Sequence, residues 1–420
     1  MLRDIVLVQK RELEQRLSER YVQRDVAIPE PLGDMILVVL GPRRAGKSFF
    51  AMQHVRSLGG FGYVNFDDER LAGLDDADAL LAAVDSVYDS PRHLLLDEIQ
   101  NLPQWELVVN RMQRQGYRLT LTGSNAHLLS AELATHLTGR HIPVVLFPFS
   151  FPEYLAVRER ELTQAEKAEA FRSFLEEGGY PEPLIKGLSR REYLSTLVRS
   201  TLYKDVVVRR RIRSPQGLDD LSAYLMANVG QRHSLTALAS LLGGRSVHTV
   251  RQYLGHLEEA FLFHSLRRFS FKVREQVRTP QKTYCIDNGL VTASAFRFSA
   301  GLGSLMENAV ATTLRRQELQ GHHRVFYWQG AAQEEVDFVI QRGRKVTALI
   351  QVCADLSSPR VRSRETRALV KAGAALECKN LLLLNDTEDS RVDVSWYGST
   401  GHIRILPVWK WMCQGGSMTD

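Results

Sequence analysis

The chain has 420 residues, 44% hydrophobic and 24% charged, which excludes a disordered or fibrous protein and, at about 100–200 residues per domain, predicts two to four domains. Its longest apolar runs fall far short of the roughly 20 residues that cross a bilayer, and Met1-Leu2-Arg3-Asp4 opens no signal-peptide pattern, so a cytoplasmic protein without a membrane partner is expected. The net charge is +6, yet residues 200–282 alone hold 14 Lys or Arg against 6 Asp or Glu, leaving the remainder at −2. A middle region that carries all the excess positive charge is a candidate surface for nucleic acid, with a solvated basic face as the plainer alternative. The four cysteines are widely spaced and form no CxxC pair, which argues against a zinc site or a disulfide framework.

In chain order, Ile5, Leu7, Val8, Leu13 and Leu17 among charges predict an N-terminal helix, followed by a turn at Pro29-Glu30-Pro31. Short apolar runs then alternate with helical stretches. Met35–Leu40, Tyr63–Phe66, His93–Leu96, Arg118–Thr122 and Ile142–Phe147 read as strands, and unbroken apolar runs suit strands buried on both faces of a parallel sheet. After Pro148 the pattern turns helical through Phe151–Arg160, Gln164–Glu177 and Arg191–Arg213. Leu235–Leu242 and Val247–Phe261 form a helical pair split by Gly243-Gly244, with strand candidates Phe261–Leu266 and Lys282–Ile286 behind it, the order of a winged helix-turn-helix. From about Leu305 a helix, three strands within residues 325–352, a basic helix at Arg362–Ala374 and a strand at Leu381–Leu384 predict a further α/β block.

The strand at Ile36–Leu40 runs into Gly41, Pro42, Arg43, Arg44, Ala45, Gly46, Lys47 and Ser48, a P-loop sequence, and a helix begins after it. In such a loop backbone N–H groups cradle phosphates at a helix N-terminus. Lys47 would reach the β- and γ-phosphates of ATP, and Ser48 would hold a Mg²⁺ bridging their oxygens. Leu94-Leu95-Leu96-Asp97-Glu98 supplies the acidic half: Asp97 to bind the metal through water, Glu98 to polarise the attacking water. Leu121-Thr122-Gly123-Ser124-Asn125 brings small polar side chains to the same sheet edge, with Asn125, or failing that Ser124, as sensor of the γ-phosphate; a polar turn capping the next helix is the alternative. In the basic middle, Ser246 can cap a helix whose outer face shows His248, Arg251 and Gln252, while Arg209, Arg210 and Arg211 add cations upstream, all candidate nucleic-acid contacts. A winged helix used only for packing between domains is the competing possibility.

These residues resemble bacterial and archaeal AAA-type ATPases (AAA_14-like) that carry a C-terminal domain of unknown function numbered 4143. The resemblance rests on Gly41–Ser48, Leu95–Gln100, Leu121–Ser124, Leu137–Arg140, Pro148–Leu155, Gly178–Pro181, Tyr284–Gly289, Glu307-Asn308 and Glu335–Phe338, and covers nearly the whole chain. It implies an α/β fold in four parts: a P-loop NTPase parallel sheet (1–149), a helical lid (150–215), a winged-helix region (216–285) and an α/β domain similar to PD-(D/E)XK nucleases (286–420). It also implies that Arg140 acts as an arginine finger on a neighbouring subunit of a homo-oligomer, a surface cation being the alternative. In the nuclease-like fold Glu307 matches the helix acid and Asp337 the strand acid, but Gln351 and Cys353 stand where a Glu-x-Lys is expected. The site therefore reads as vestigial, unless a relocated lysine such as Lys345 serves it. The function expected is an ATP- and Mg²⁺-dependent ATPase whose nucleotide state controls DNA binding. A signalling or protein-remodelling ATPase and an active ATP-dependent nuclease are the two rivals.

Overall fold

The computed structural model describes the chain except residues 30–32, 125, 127–138, 295–300, 397 and 418–420, and the side chains at 273, 277 and 278. The turn expected at Pro29-Glu30-Pro31 falls largely outside the described residues. The chain divides into two compact units, Met1–Pro148 and Phe149–Asp420, where the sequence reads as four segments.

In the first unit β1 (Ile36–Leu40), β2 (Phe61–Asn65), β3 (His93–Asp97), β4 (Arg118–Gly123) and β5 (His141–Val145) form a sheet of order β2-β3-β4-β1-β5. Every pairing is parallel. β1 is buried along its whole length, which is why its sequence is an unbroken aliphatic run rather than an alternation. Helices Leu2–Leu17, Lys47–Ser57 and Ala77–Tyr88 pack with the sheet, and Leu13, Phe50, Met52 and Tyr63 share a core with β1 residues Leu37 and Val39. The N-terminal helix is fixed in register by Gln9, whose amide donates to the Asn65 carbonyl at 3.1 Å and accepts the Asn65 N–H at 3.0 Å. Because the strands are parallel, the carboxyl ends of β1, β3 and β4 meet at one edge, and the P-loop, Asp97-Glu98 and Gly123-Ser124 converge there.

The second unit begins with four helices, Phe151–Ala156, Gln164–Glu177, Pro181–Lys186 and Arg190–Ser200. Ser150 with Glu153, and Thr163 with Glu166, form reciprocal capping boxes that fix where the first two start. The continuous helix expected over Arg191–Arg213 is interrupted: Thr201–Val208 takes a π-helical path, and Arg211 has a left-handed φ of 51°. Val206-Val207-Val208 is β-branched throughout, and crowding of such side chains against the preceding turn disfavours regular α-helix.

Next come helix Gln216–Ala227, β6 (Arg232–His233), helices Leu235–Leu241 and Val247–Glu259, β7 (Phe263–Leu266), a short helix Val273–Arg278 and β8 (Gln281–Cys285). The strands make an antiparallel sheet of order β6-β8-β7. Gly243 and Gly244, at φ of 73° and 76°, make the turn between the two short helices in a conformation that side chains resist.

A six-stranded sheet of order β13-β14-β12-β11-β10-β9 closes the chain, built from β9 (Arg324–Gln329), β10 (Glu335–Arg342), β11 (Lys345–Val352), β12 (Leu381–Asn385), β13 (Ser390–Trp396) and β14 (Ser399–Pro407). Helices Leu302–Leu319 and Pro359–Ala375 pack against it. The segment leaving β7 joins its edge, since Phe269 N–H donates to the Tyr327 carbonyl at 2.6 Å and Tyr327 N–H to that of Arg267 at 3.0 Å. The two sheets of this unit are thereby hydrogen-bonded through one strand segment.

Candidate nucleotide site and a second charged cluster

At the end of β1 the chain turns sharply at Gly41, whose φ is 145°. A Cβ there would lie 1.9 Å from the Leu146 carbonyl oxygen, so only glycine allows the loop to leave the sheet beside the segment following β5. Gly46, at φ 91°, is the N-cap of helix Lys47–Ser57 and completes the turn. Arg24, 5% exposed, braces this loop: its guanidinium donates to the carbonyls of Ala45 at 2.9 Å and Phe147 at 2.6 Å. Arg24→Ala removes both charge-assisted bonds and is expected to destabilise the protein by about 2–4 kcal/mol, weakening nucleotide binding in parallel. Thermal denaturation and nucleotide titration of the variant check this; unchanged Tm and Kd would show that the brace is idle.

Lys47 is 4% exposed, and its ammonium donates to the Pro42 carbonyl at 2.9 Å while standing 3.7 Å from Glu98 Oε1. Ser48 Oγ donates to Asp97 Oδ1 at 2.8 Å. Asp97 is held further by the Tyr63 hydroxyl on Oδ2 at 3.0 Å and by the Thr122 hydroxyl on Oδ1. Thr122 Oγ1 also accepts the Glu98 N–H at 3.0 Å, so one side chain of β4 orients both acids of β3. Burial, and then the adjacent Glu98 charge, push the Asp97 carboxyl up, against the hydrogen bonds from Thr122, Ser48 and Tyr63. Burial also works to raise Glu98, but Lys47, Gln100, Arg43 and Ser124 outweigh it and hold its carboxyl below the usual range. Glu98 is thus kept ionised, as an acceptor of a proton must be. The oxygens of Ser48 and Asp97 are the hard ligands Mg²⁺ takes, brought to one point at the loop that would hold phosphates, so the residues fit that ion with ATP.

Asn125 lies outside the described residues. Ser124 is buried, with its hydroxyl 3.4 Å from the amide nitrogen of Gln100, which also bonds the Glu98 carboxylate. Arg140 is exposed and precedes β5, and its carbonyl accepts the Ile36 N–H at the start of β1. The length of β1 therefore separates it from the P-loop, on the order of 15 Å. Sequence reasoning missed Arg24, Tyr63 and Thr122; Tyr63 and Thr122 carry a signal only once β2, β3 and β4 are known to be neighbours.

In the second unit Glu307, on helix Leu302–Leu319, and Asp337, on β10, meet at the Lys282 ammonium, and Gln351 of β11 accepts the Asp337 N–H at 3.2 Å. Cys353 lies half-buried beyond, its thiol 3.3 Å from the Asp355 carbonyl oxygen. Lys345 is exposed, opposite Arg342 at the far end of the β10–β11 hairpin, and is not the cluster's lysine. Lys282 of β8 is. Its ammonium lies 2.9 Å from Glu307, 2.6 Å from Glu335 and 2.9 Å from Asp337. Burial disfavours its charge, yet Asp337 and the other acids more than compensate and raise its pKa well above the usual lysine value. Burial and the nearby Asp337 push Glu307 up, in spite of Lys282 and of the Tyr284 hydroxyl 2.7 Å away.

Of the remaining candidates, Arg211, His248 and Arg251 are exposed, whereas Arg209 pairs with Asp205 at 3.3 Å and Arg210 with Glu259. Among the described residues no helix is long and apolar enough to cross a membrane.

Residues 33–155 match the AAA domain family, and 168–300 and 302–408 match two domains of unknown function, DUF8612 and DUF4143. The chain is 31% identical over 420 residues to the uncharacterized protein MJ1544 of Methanocaldococcus jannaschii, covering 95% of this chain and 92% of that one. It is 28% identical over 315 residues to an uncharacterized protein of Haemophilus influenzae, covering 71% and 78% of the two chains. Among solved structures, the Walker-type ATPase PABY2304 of Pyrococcus abyssi aligns with a TM-score of 0.45 at 17% identity, over 66% of this chain and 99% of that one. With the P-loop and its acidic strand in place and the likeness to the Methanocaldococcus protein spanning both chains, this chain belongs to the same family as that protein and is itself an AAA-type P-loop ATPase that carries a DUF4143 domain.

Proposed function

We propose that the protein hydrolyses ATP with Mg²⁺ and that its nucleotide state controls contact with DNA, the region Gln216–Cys285 acting as a winged helix and the C-terminal α/β domain as a catalytically silent nuclease-like module. The observation that carries the first part is the convergence of Ser48, Asp97 and Thr122 on one oxygen cluster with Lys47 and ionised Glu98 beside it. Bound Mg²⁺ would supply charge to the β- and γ-phosphate oxygens. Lys47 leaves the Pro42 carbonyl to meet those oxygens, backbone N–H groups of the loop position them, and Glu98 draws a proton from the water that attacks. Arg140, held away from its own P-loop, serves the nucleotide of a second copy.

The DNA reading is supported by the helix–strand–helix–helix–strand order over 216–266, completed after a short helix at Val273–Arg278 by β8, and by His248, Arg251 and Gln252 exposed on the second helix of the pair. Ser246 caps that helix, accepting the Thr249 N–H at 3.0 Å. Arg209 and Arg210 are paired with carboxylates, while Lys204, Arg211 and Arg213 are exposed beside the helix face that carries His248 and Arg251, cations of the kind that contact phosphates without reading sequence. ATP turnover with and without single- and double-stranded DNA, together with mobility shift across a salt titration, tests the reading. Stimulated turnover and binding that weakens with salt are expected; binding absent at low salt would leave the protein-remodelling alternative in its place.

For the C-terminal domain we predict no cutting of linear, circular or branched DNA with Mg²⁺ or Mn²⁺, with or without ATP, beyond that of a Glu307→Ala, Asp337→Ala double variant. Phosphodiester cleavage needs a metal and a free cation to meet charge on the scissile phosphate, and the three N–H donors of the Lys282 ammonium are already matched by three carboxylates. Cutting by the parent that the double variant lacks would refute it.

A further inference from the structure

We infer that Lys282 takes the place of the divalent cation in the nuclease-like cluster, so that the acids form a closed internal ion-pair hub, and that the cluster becomes a divalent-cation site only when this side chain is removed. The inference rests on the reading of the C-terminal domain as catalytically silent and gives its buried acids a role that needs no catalytic lysine on β11.

The geometry is that of hydrogen-bonded ion pairs. The Lys282 side chain is 3% exposed, and its three donors face Glu307 Oε1, Glu335 Oε1 and Asp337 Oδ1 at 2.6–2.9 Å, the range of charge-assisted N–H···O bonds. Alternation along β10 puts Glu335 and Asp337 on the same side. The register of β10 against β9 shifts between Val336 and Val339, a bulge that falls at the Asp337 side of the cluster.

The oxygens a metal would need are otherwise engaged as well. Asp337 Oδ2 accepts the Val352 N–H at 3.0 Å, Glu335 Oε2 faces Arg232 at 3.1 Å, and the Tyr284 hydroxyl donates to Glu307 Oε1. Gln351, which could have offered a neutral oxygen, instead accepts from Asp337 N–H and donates to Glu365 at 2.9 Å. Mg²⁺ or Mn²⁺ would require several of these oxygens at about 2.1 Å together with bound waters, in the volume the ammonium fills. The donor set thus fits an ammonium and does not fit a divalent ion.

The lysine comes from β8, not from β11, where the resemblance implies it. β8 is the central strand of the three-stranded sheet, so the hub fastens that sheet to the helix Leu302–Leu319 and to β10 by charge. Without the ammonium, three carboxylates would face one another, and a divalent cation with oxygen preference is the species that neutralises such a set.

Mn²⁺ binding to the full-length, nucleotide-free protein, read by electron paramagnetic resonance, tests this, with an Asp97→Asn background to silence the P-loop. The parent and a Glu307→Gln, Asp337→Asn variant are expected to bind Mn²⁺ equally. Lys282→Ala is expected to gain one Mn²⁺ per chain, with at least tenfold tighter binding than the parent and a Tm that rises on adding Mn²⁺; adding the two acid substitutions abolishes the gain. Parent binding that disappears in the acid variant would overturn the inference even if Lys282→Ala did not fold. So would a folded Lys282→Ala that gains no Mn²⁺. If the parent binds Mn²⁺ through these acids yet cuts no DNA, this inference alone fails; if it also cuts, the silent-domain reading fails with it.

Discussion

Lys47→Ala is expected to abolish both ATP binding and turnover, whereas Glu98→Gln should retain ATP and lose hydrolysis by about 10²-fold or more. The two residues sit 3.7 Å apart, yet their tasks differ. On the proposed reading Lys47 meets the phosphates in the ground state, so its loss removes affinity. Glu98 is kept ionised by Lys47 and by the donors around it, and its contribution arises when the water gives up a proton. A glutamine of the same shape still accepts the Thr122-ordered backbone geometry but cannot take that proton. Equilibrium binding of a fluorescent ATP analogue and steady-state phosphate release separate the two effects. A Glu98→Gln protein turning over at the parental rate would remove it from the role of base.

Replacing Arg140 by Ala should lower turnover by about 10³-fold while leaving nucleotide affinity nearly unchanged, because an arginine supplied by a neighbour acts on charge that develops only in the transition state. Arg140 lies at the opposite end of β1 from the P-loop, a position that suits action on a neighbouring copy's nucleotide rather than its own. Specific activity should therefore rise with protein concentration through the range where copies associate. Mixing the Arg140→Ala protein with a Lys47→Ala protein should restore part of the activity, since each supplies what the other lacks. Constant specific activity in a protein shown to be monomeric would discard the finger.

The nucleotide site is legible in the sequence because its parts are contiguous: a strand, a glycine turn and a helix in one stretch, and two acids at the end of another strand. What braces it is not. Arg24, Tyr63 and Thr122 reach the P-loop or Asp97 from elsewhere in the chain, and which strands are neighbours follows from a sheet order that no local pattern states. Lys282 is the sharper case. It lies 25 residues before Glu307 and 55 before Asp337, on a strand of a different sheet, so a search for the missing lysine along β11 could not have met it. The hairpin of β13 and β14 went unread: Val392, Val394 and Trp396 alternate with polar residues and pack on the core of the six-stranded sheet, but an edge of mixed polarity gives a weak signal. The break in the helix after Ser200 was hidden because apolar spacing continues through Thr201–Val208 while the backbone changes its winding.

The central claim, that nucleotide state controls contact with DNA, is tested most directly by the affinity of the Glu98→Gln protein for a fluorescent DNA duplex, measured by anisotropy at fixed low salt with Mg²⁺-ATP, with Mg²⁺-ADP and without nucleotide. This variant is expected to hold ATP without consuming it, so that each state persists through the measurement. The account predicts affinities differing by at least fivefold between the ATP and ADP states, each falling with added salt and each reduced in an Arg251→Ala variant. Equal affinities in all three states, or binding that ignores both salt and Arg251, would contradict it.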